Sequence, residues 1–161
     1  MTQKLNWRLR LGRLAVPAVR RYRQVVHGLT VGVCAAVIDE AGRVFLVKHS
    51  YVPGWYLPGG GVKSGESALD ALTRELEEEG NFRLDGPPEL FGFYFNVKAS
   101  RRDHVALYVV RRWHQPTPPK PGIEIIGHLF ADPHALPDDA ASSTRRRCAE
   151  LFDDAPRAPL W

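Results

Sequence analysis

Glu75, Glu78 and Glu79 stand at spacings i, i+3 and i+4. On a helix this puts three carboxylates within one arc of about 100°. Acids there repel one another, and near a helix C-terminus they oppose its macrodipole by roughly 0.3–1 kcal/mol each. Stability does not ask for such an arrangement. A divalent cation would relieve the repulsion, and all-oxygen carboxylate donors suit a hard ion such as Mg²⁺ or Mn²⁺. Upstream lies Leu57-Pro58-Gly59-Gly60-Gly61, whose successive glycines let a ligand approach the backbone closely. An acidic helix by itself is usually just a solvated face. Here Glu66 and Arg74 also sit at set offsets between the glycines and the acids, which a solvated face does not require.

The elements that must position these groups follow from pattern. Ser67-x-x-Asp70 is a capping box that starts a helix, and Gly80-Asn81 supplies a left-handed stop. Leu69, Leu72 and Leu76 form the expected core stripe, while Ala68 and Ala71 leave open space on the carboxylate side. Before the helix, Leu29–Ile38 and Val44–Lys48 flank the turn Asp39-Glu40-Ala41-Gly42 and predict a hairpin. After it, Glu89–Val97 and Val105–Arg112 predict two strands joined by a polar turn. The proline-rich loop 116–122 leads to a last strand over Ile123–Phe130 and a helix over Asp138–Phe152. This order predicts an α/β fold, a mixed sheet between helices on both faces.

The stretch Gly60–Phe82 resembles the Nudix box, G-x5-E-x7-R-E-U-x-E-E-x-G-U with U aliphatic. Gly60, Glu66, Arg74, Glu75, Leu76, Glu78 and Glu79 match it, and the preceding Gly54–Gly59 is similar to the usual entry segment. Asn81 stands in place of the glycine and Phe82 in place of an aliphatic residue. The similarity extends over Gly28 to about Phe152, and Glu124 lies where some members carry a distal carboxylate. It implies a Nudix-like α/β/α sandwich and hydrolysis of a diphosphate bond in a nucleoside diphosphate linked to another moiety: an NDP-sugar, ADP-ribose or similar NDP-X. A pyrophosphatase acting on nucleoside triphosphates and a nucleotide-sensing module without catalysis are the alternatives.

By this resemblance Glu75, Glu78 and Glu79 hold the metal, with the Gly60 carbonyl a further ligand. Arg74 orients the carboxylates, Glu66 braces the loop, and the general base is open among Glu78, Glu75 and Glu124. Gly59, Gly60 and Gly61 are expected to admit the diphosphate. Tyr51, Trp55 and Phe95 offer aromatic surfaces, and Lys48, His49, Arg101, Arg102 and His104 offer charge for phosphates. The sequence supports neither the ADP-ribose nor the dinucleoside polyphosphate branch.

With 161 residues, 44% of them hydrophobic, the chain can bury one core of ordinary size. We expect a basic arm at residues 1–27, the catalytic domain at 28–155 and a C-terminal tail at 156–161. The net charge of +4 resides in the arm, which holds seven of the 22 basic residues and no acid before His27. The remaining 15 basic residues face 18 acidic ones. Such an arm could steer toward an anionic partner or surface, or serve a homodimer contact. Its sequence predicts a strand over Leu5–Leu11 and a short helix over Ala18–Val26. Two distant cysteines, Cys34 and Cys148, suggest neither disulfide nor zinc, and no apolar run approaches the length of a membrane span. A cytoplasmic protein is expected.

Overall fold

The structure, a computed structural model, describes Tyr22 and residues 27–161. The strand and, apart from Tyr22, the helix expected in the arm lie outside the described residues. Ten elements follow in chain order: β1 Thr30–Val37, β2 Val44–His49, β3 Gly59–Gly61, α1 Ala68–Gly80, β4 Arg83–Leu84, β5 Glu89–Phe95, β6 Asp103–Val110, β7 Trp113–His114, β8 Ile125–Ala131 and α2 Ser142–Phe152. A four-stranded mixed sheet has the order β3-β1-β6-β5, with β1 parallel to β6 and the other pairs antiparallel.

Alternation along β1 divides the core. Val33, Ala35 and Val37 pack with Ala71, Leu72 and Leu76 of α1, while Ala36 packs with Cys148 and Tyr94 on the face that meets α2. The sheet therefore lies between the two helices, as the α/β/α expectation required. The predicted β5–β6 hairpin forms, with a register shift between Leu90 and Gly92.

The expected β1–β2 hairpin does not form a ladder. Asp39 closes the turn by accepting from the Ala41 and Arg43 amides and pairing with the Arg43 guanidinium at 2.8 Å, but only the single bridge Ile38–Val44 follows. β2 pairs instead with β8. Strands buried on both faces carry no alternation to identify a partner, so a turn between two apolar runs is read too readily as a hairpin.

Helix α1 begins and ends as predicted. The Ser67 hydroxyl accepts from the Asp70 amide and the Asp70 carboxylate accepts from the Ser67 amide, while Asn81 adopts φ 53°, ψ 33°. Its orientation differs from expectation. Leu69 is 49% exposed, whereas Ala71 is fully buried with Leu72 and Leu76. The small alanines admit the sheet rather than leave space for a ligand, and Glu75 and Glu79 are carried inward while Glu78 remains exposed.

Candidate active site

Gly59–Gly61 pairs antiparallel with Gly32–Cys34, which holds the glycine turn against the sheet beside α1. The Gly59 amide donates to Glu79 Oε2 at 2.7 Å. A β-carbon at Gly60 would collide with the Glu75 carboxylate, so the glycine leaves room for that acid. Gly59 has φ +153°, and a β-carbon there would strike the Val33 backbone. Gly60 thus makes room for the Glu75 carboxylate and Gly59 for the sheet.

Arg74 ties the acids together. Its guanidinium holds Glu66 bidentately at 2.9 and 3.1 Å, Glu75 at 2.6 Å, the Gly61 carbonyl at 3.1 Å and, more distantly, Glu78 at 3.4 Å. Glu66 in turn accepts from the Lys63 amide at 2.9 Å. Hydrogen bonds from Arg74 and Lys63 pull the Glu66 carboxyl down to about 2. The arginine links the loop to the helix and holds Glu66 in its ionised form.

Glu79 is the opposite case. Burial, reinforced by Glu75, Glu124 and Glu78, pushes its carboxyl up to about 8, although the Gly59 amide opposes the shift. Its other oxygen, Oε1, lies 3.8 Å from His49 Nε2.

Glu75, Glu78, Glu79 and Arg74 line a cavity of about 380 Å³ together with Glu124 and the two lysines Lys63 and Lys120. Glu124 arrives on the proline-rich loop, and its carboxylate accepts from the Tyr51 hydroxyl at 3.2 Å. Neither Lys63 nor Lys120 has an ion-pair partner among the described residues. A second cavity, about 580 Å³ and largely apolar, flanks the same glycine turn and is bordered by Gly32, Cys34 and Val105.

Not every expected residue reaches the acidic cavity. Lys48 pairs with Asp139 at 2.7 Å and lies 5.4 Å from the Trp55 ring, which packs on the α2-side core and bridges to Ala140. Phe95 lies on β5 beside His104, 5.3 Å between ring centroids. Lys120 was not singled out by sequence, because one lysine in a proline-rich loop carries no pattern. The partner of Asn81 is also a tertiary fact: its side-chain amide donates to the Thr117 carbonyl and hydroxyl, both at 2.9 Å.

A family model described as NUDIX domain matches residues 28–152. A Bacillus subtilis protein, provisionally named an 8-oxo-dGTP diphosphatase, is 45% identical over 76 residues, 47% of this chain and 50% of that protein. An RNA pyrophosphohydrolase of Ruthia magnifica is 42% identical over 53 residues, 33% of this chain and 30% of its own length. The chain thus spans half or less of these curated relatives. The crystal structure of a MutT NUDIX hydrolase from Burkholderia pseudomallei superposes with a TM-score of 0.65 over 76% of this chain and 98% of that one, at 24% identity, a likeness of fold.

Proposed function

The chain belongs to the NUDIX family, and from that we propose that it is a divalent-cation-dependent pyrophosphohydrolase that cleaves the diphosphate bridge of a nucleoside diphosphate linked to a second moiety, an NDP-sugar, ADP-ribose or similar NDP-X. The observation that carries this reading is the convergence of Glu75, Glu78, Glu79 and Glu124 on one cavity at the glycine turn. The larger apolar cavity on the other flank of that turn offers room for a nucleoside, so that the diphosphate would cross Gly59–Gly61.

The donor set fits Mg²⁺ or Mn²⁺. Four carboxylates face the cavity, and Glu79, raised chiefly by burial and further by Glu75, Glu124 and Glu78, is an acid that a bound cation would favour in its ionised form. Among the described residues no three metal-ligating side chains already converge on one point. Glu75, Glu78, Glu79 and the Gly60 carbonyl would hold the ion, with Glu124 on the same cavity a further candidate ligand. When bound, it neutralises phosphate charge and lowers the pKa of a coordinated water.

The chain's own groups do the rest. Arg74 keeps Glu75 and Glu66 oriented, and Lys63 and Lys120, which line the same cavity, would meet phosphate oxygens. Water attacks one phosphorus, one carboxylate among Glu78, Glu75 and Glu124 takes its proton, and the bridging oxygen departs with the other phosphate. The products are a nucleoside monophosphate and the phosphorylated partner.

Chromatography of products from NDP-sugars, ADP-ribose, CDP-alcohols and NTPs with Mg²⁺ or Mn²⁺ tests the assignment. Glu79→Gln should abolish cation-dependent turnover while the fold persists; unchanged turnover overturns the role of Glu79. The names of the relatives above favour a second reading, hydrolysis of a triphosphate end, which would release inorganic pyrophosphate instead. The basic arm, residues 1–27, is assigned the recruitment of an anionic partner or surface, on the strength of its seven unopposed basic residues.

A further inference from the structure

We infer that His49 and Tyr51 form an outer shell that positions the metal-binding carboxylates, His49 acting on Glu79 and Tyr51 on Glu124. This rests on the cation-dependent reading above and assigns work to two residues outside its carboxylate set.

The local backbone explains how both reach the cavity. In the β2–β8 ladder Lys48 faces Gly127 but His49 faces Ile125, so Ile126 is an extra residue in β8. Such a bulge breaks the regular alternation and re-aims the side chains around it. The chain then continues with the Ser50 amide donating to the Glu124 carbonyl at 2.8 Å. His49 at the end of β2, and Tyr51 and Glu124 just beyond the ends of β2 and β8, are thereby brought together at one irregularity.

The side-chain contacts complete the arrangement. Glu79 Oε2 is fixed by the Gly59 amide at 2.7 Å, and its other oxygen faces His49 Nε2 at 3.8 Å. That separation is within ion-pair reach and longer than a hydrogen bond. The His49 side chain is only 10% exposed and is packed beside Tyr51 and Tyr56, at ring separations of 5.1 and 5.9 Å. Its Nδ1 is buried without a partner. With Nδ1 unpartnered, Nε2 is the ring nitrogen that faces the cavity acids. Tyr51, by contrast, is 69% exposed, yet its hydroxyl donates to Glu124 Oε1 at 3.2 Å. The two rings contact each other, so the carboxylates from α1 and from the proline-rich loop are linked through β2.

Outer-shell partners of metal ligands typically change metal affinity by about 10–100-fold when removed. The test titrates the full chain with Mn²⁺ alone, without nucleotide, and reads free Mn²⁺ by electron paramagnetic resonance. His49→Phe, which keeps ring volume but removes both nitrogens, should weaken Mn²⁺ binding by about 10-fold. His49→Gln, which restores a donor, should recover part of the loss. Tyr51→Phe removes only an exposed hydroxyl and should weaken binding in the same direction with its melting temperature unchanged, so the test survives even if His49→Phe does not fold. Mn²⁺ titrations of folded variants that superimpose on the wild type overturn the inference alone. Absence of Mn²⁺ binding by the wild type overturns the cation-dependent reading and this inference with it.

Discussion

At the scale of single residues, the site is organised by two kinds of side chain that keep opposite charge states. Arg74 holds Glu66 ionised, whereas burial and its acidic neighbours drive Glu79 toward the protonated form. The Glu66 shift has a pH consequence. Its folded value of about 2 lies below the ordinary 4.5, so its contribution to stability is complete above 4.5 and is lost as pH falls toward 2. Acid unfolding followed by circular dichroism should therefore show a steeper loss over that window in the wild type than in Glu66→Gln. Gly60 makes a separable prediction, since the group a β-carbon would meet is the mobile end of Glu75. Gly60→Ala should displace that carboxylate and lower kcat by about 100-fold, while differential scanning calorimetry finds the melting temperature within about 2 °C of the wild type.

At the scale of elements, the departures from the family pattern become intelligible. Asn81 occupies the left-handed cap that glycine usually fills, and its side chain also ties the end of α1 to Thr117 in the loop that delivers Lys120 and Glu124. The Gln115 amide reinforces this by donating to the Gly80 carbonyl at 2.6 Å. Asn81→Gly should preserve the helix stop, because glycine takes that conformation freely, yet release the loop. The expected result is a raised KM with little change in melting temperature, and an unaltered KM removes the loop-anchoring role. Phe82 is fully enclosed, meeting Phe45 and Trp113 edge-on at 4.7 and 4.8 Å. Gly80 complements it, since a β-carbon there would strike the Phe82 ring.

At the scale of the whole molecule, residues 158–161 join the sheet side of the fold. Phe95 donates to the Pro159 carbonyl and accepts from the Trp161 amide, both at 3.0 Å. Trp161 packs against Tyr94, and the fully buried Arg147 lies over both rings while pairing with Glu150 at 2.7 Å. Trp161→Ala uncovers that buried cation, and the expected cost is about 2 kcal/mol, read by calorimetry as a fall in melting temperature of about 4–8 °C. Deleting residues 1–26 addresses the other end. Turnover of small nucleotides should persist, while salt-sensitive binding of RNA or anionic vesicles should fall; no such binding in the full chain removes the recruiting role of the arm.

How far each of these scales was legible follows from the range of the interactions involved. The capping box, the left-handed stop, the acidic arc and the Glu66–Arg74 spacing are written within a dozen or so residues, where helical period and backbone preference suffice to read them. The family pattern could therefore be recognised, and the α/β/α arrangement expected from it is present. Strand partners, the bulge at Ile126, the burial of Glu79 and the meeting of Tyr51 with Glu124 depend on segments up to 87 residues apart, the separation of the paired Val44 and Ala131. Their signal lies in which surfaces exclude water together, and no local spacing encodes that. The sequence by itself determined the acidic helix, its caps and its family pattern; only the tertiary structure decided that Glu75 and Glu79 turn inward while Glu78 stays exposed, because the small side chains beside them let the helix settle against the sheet.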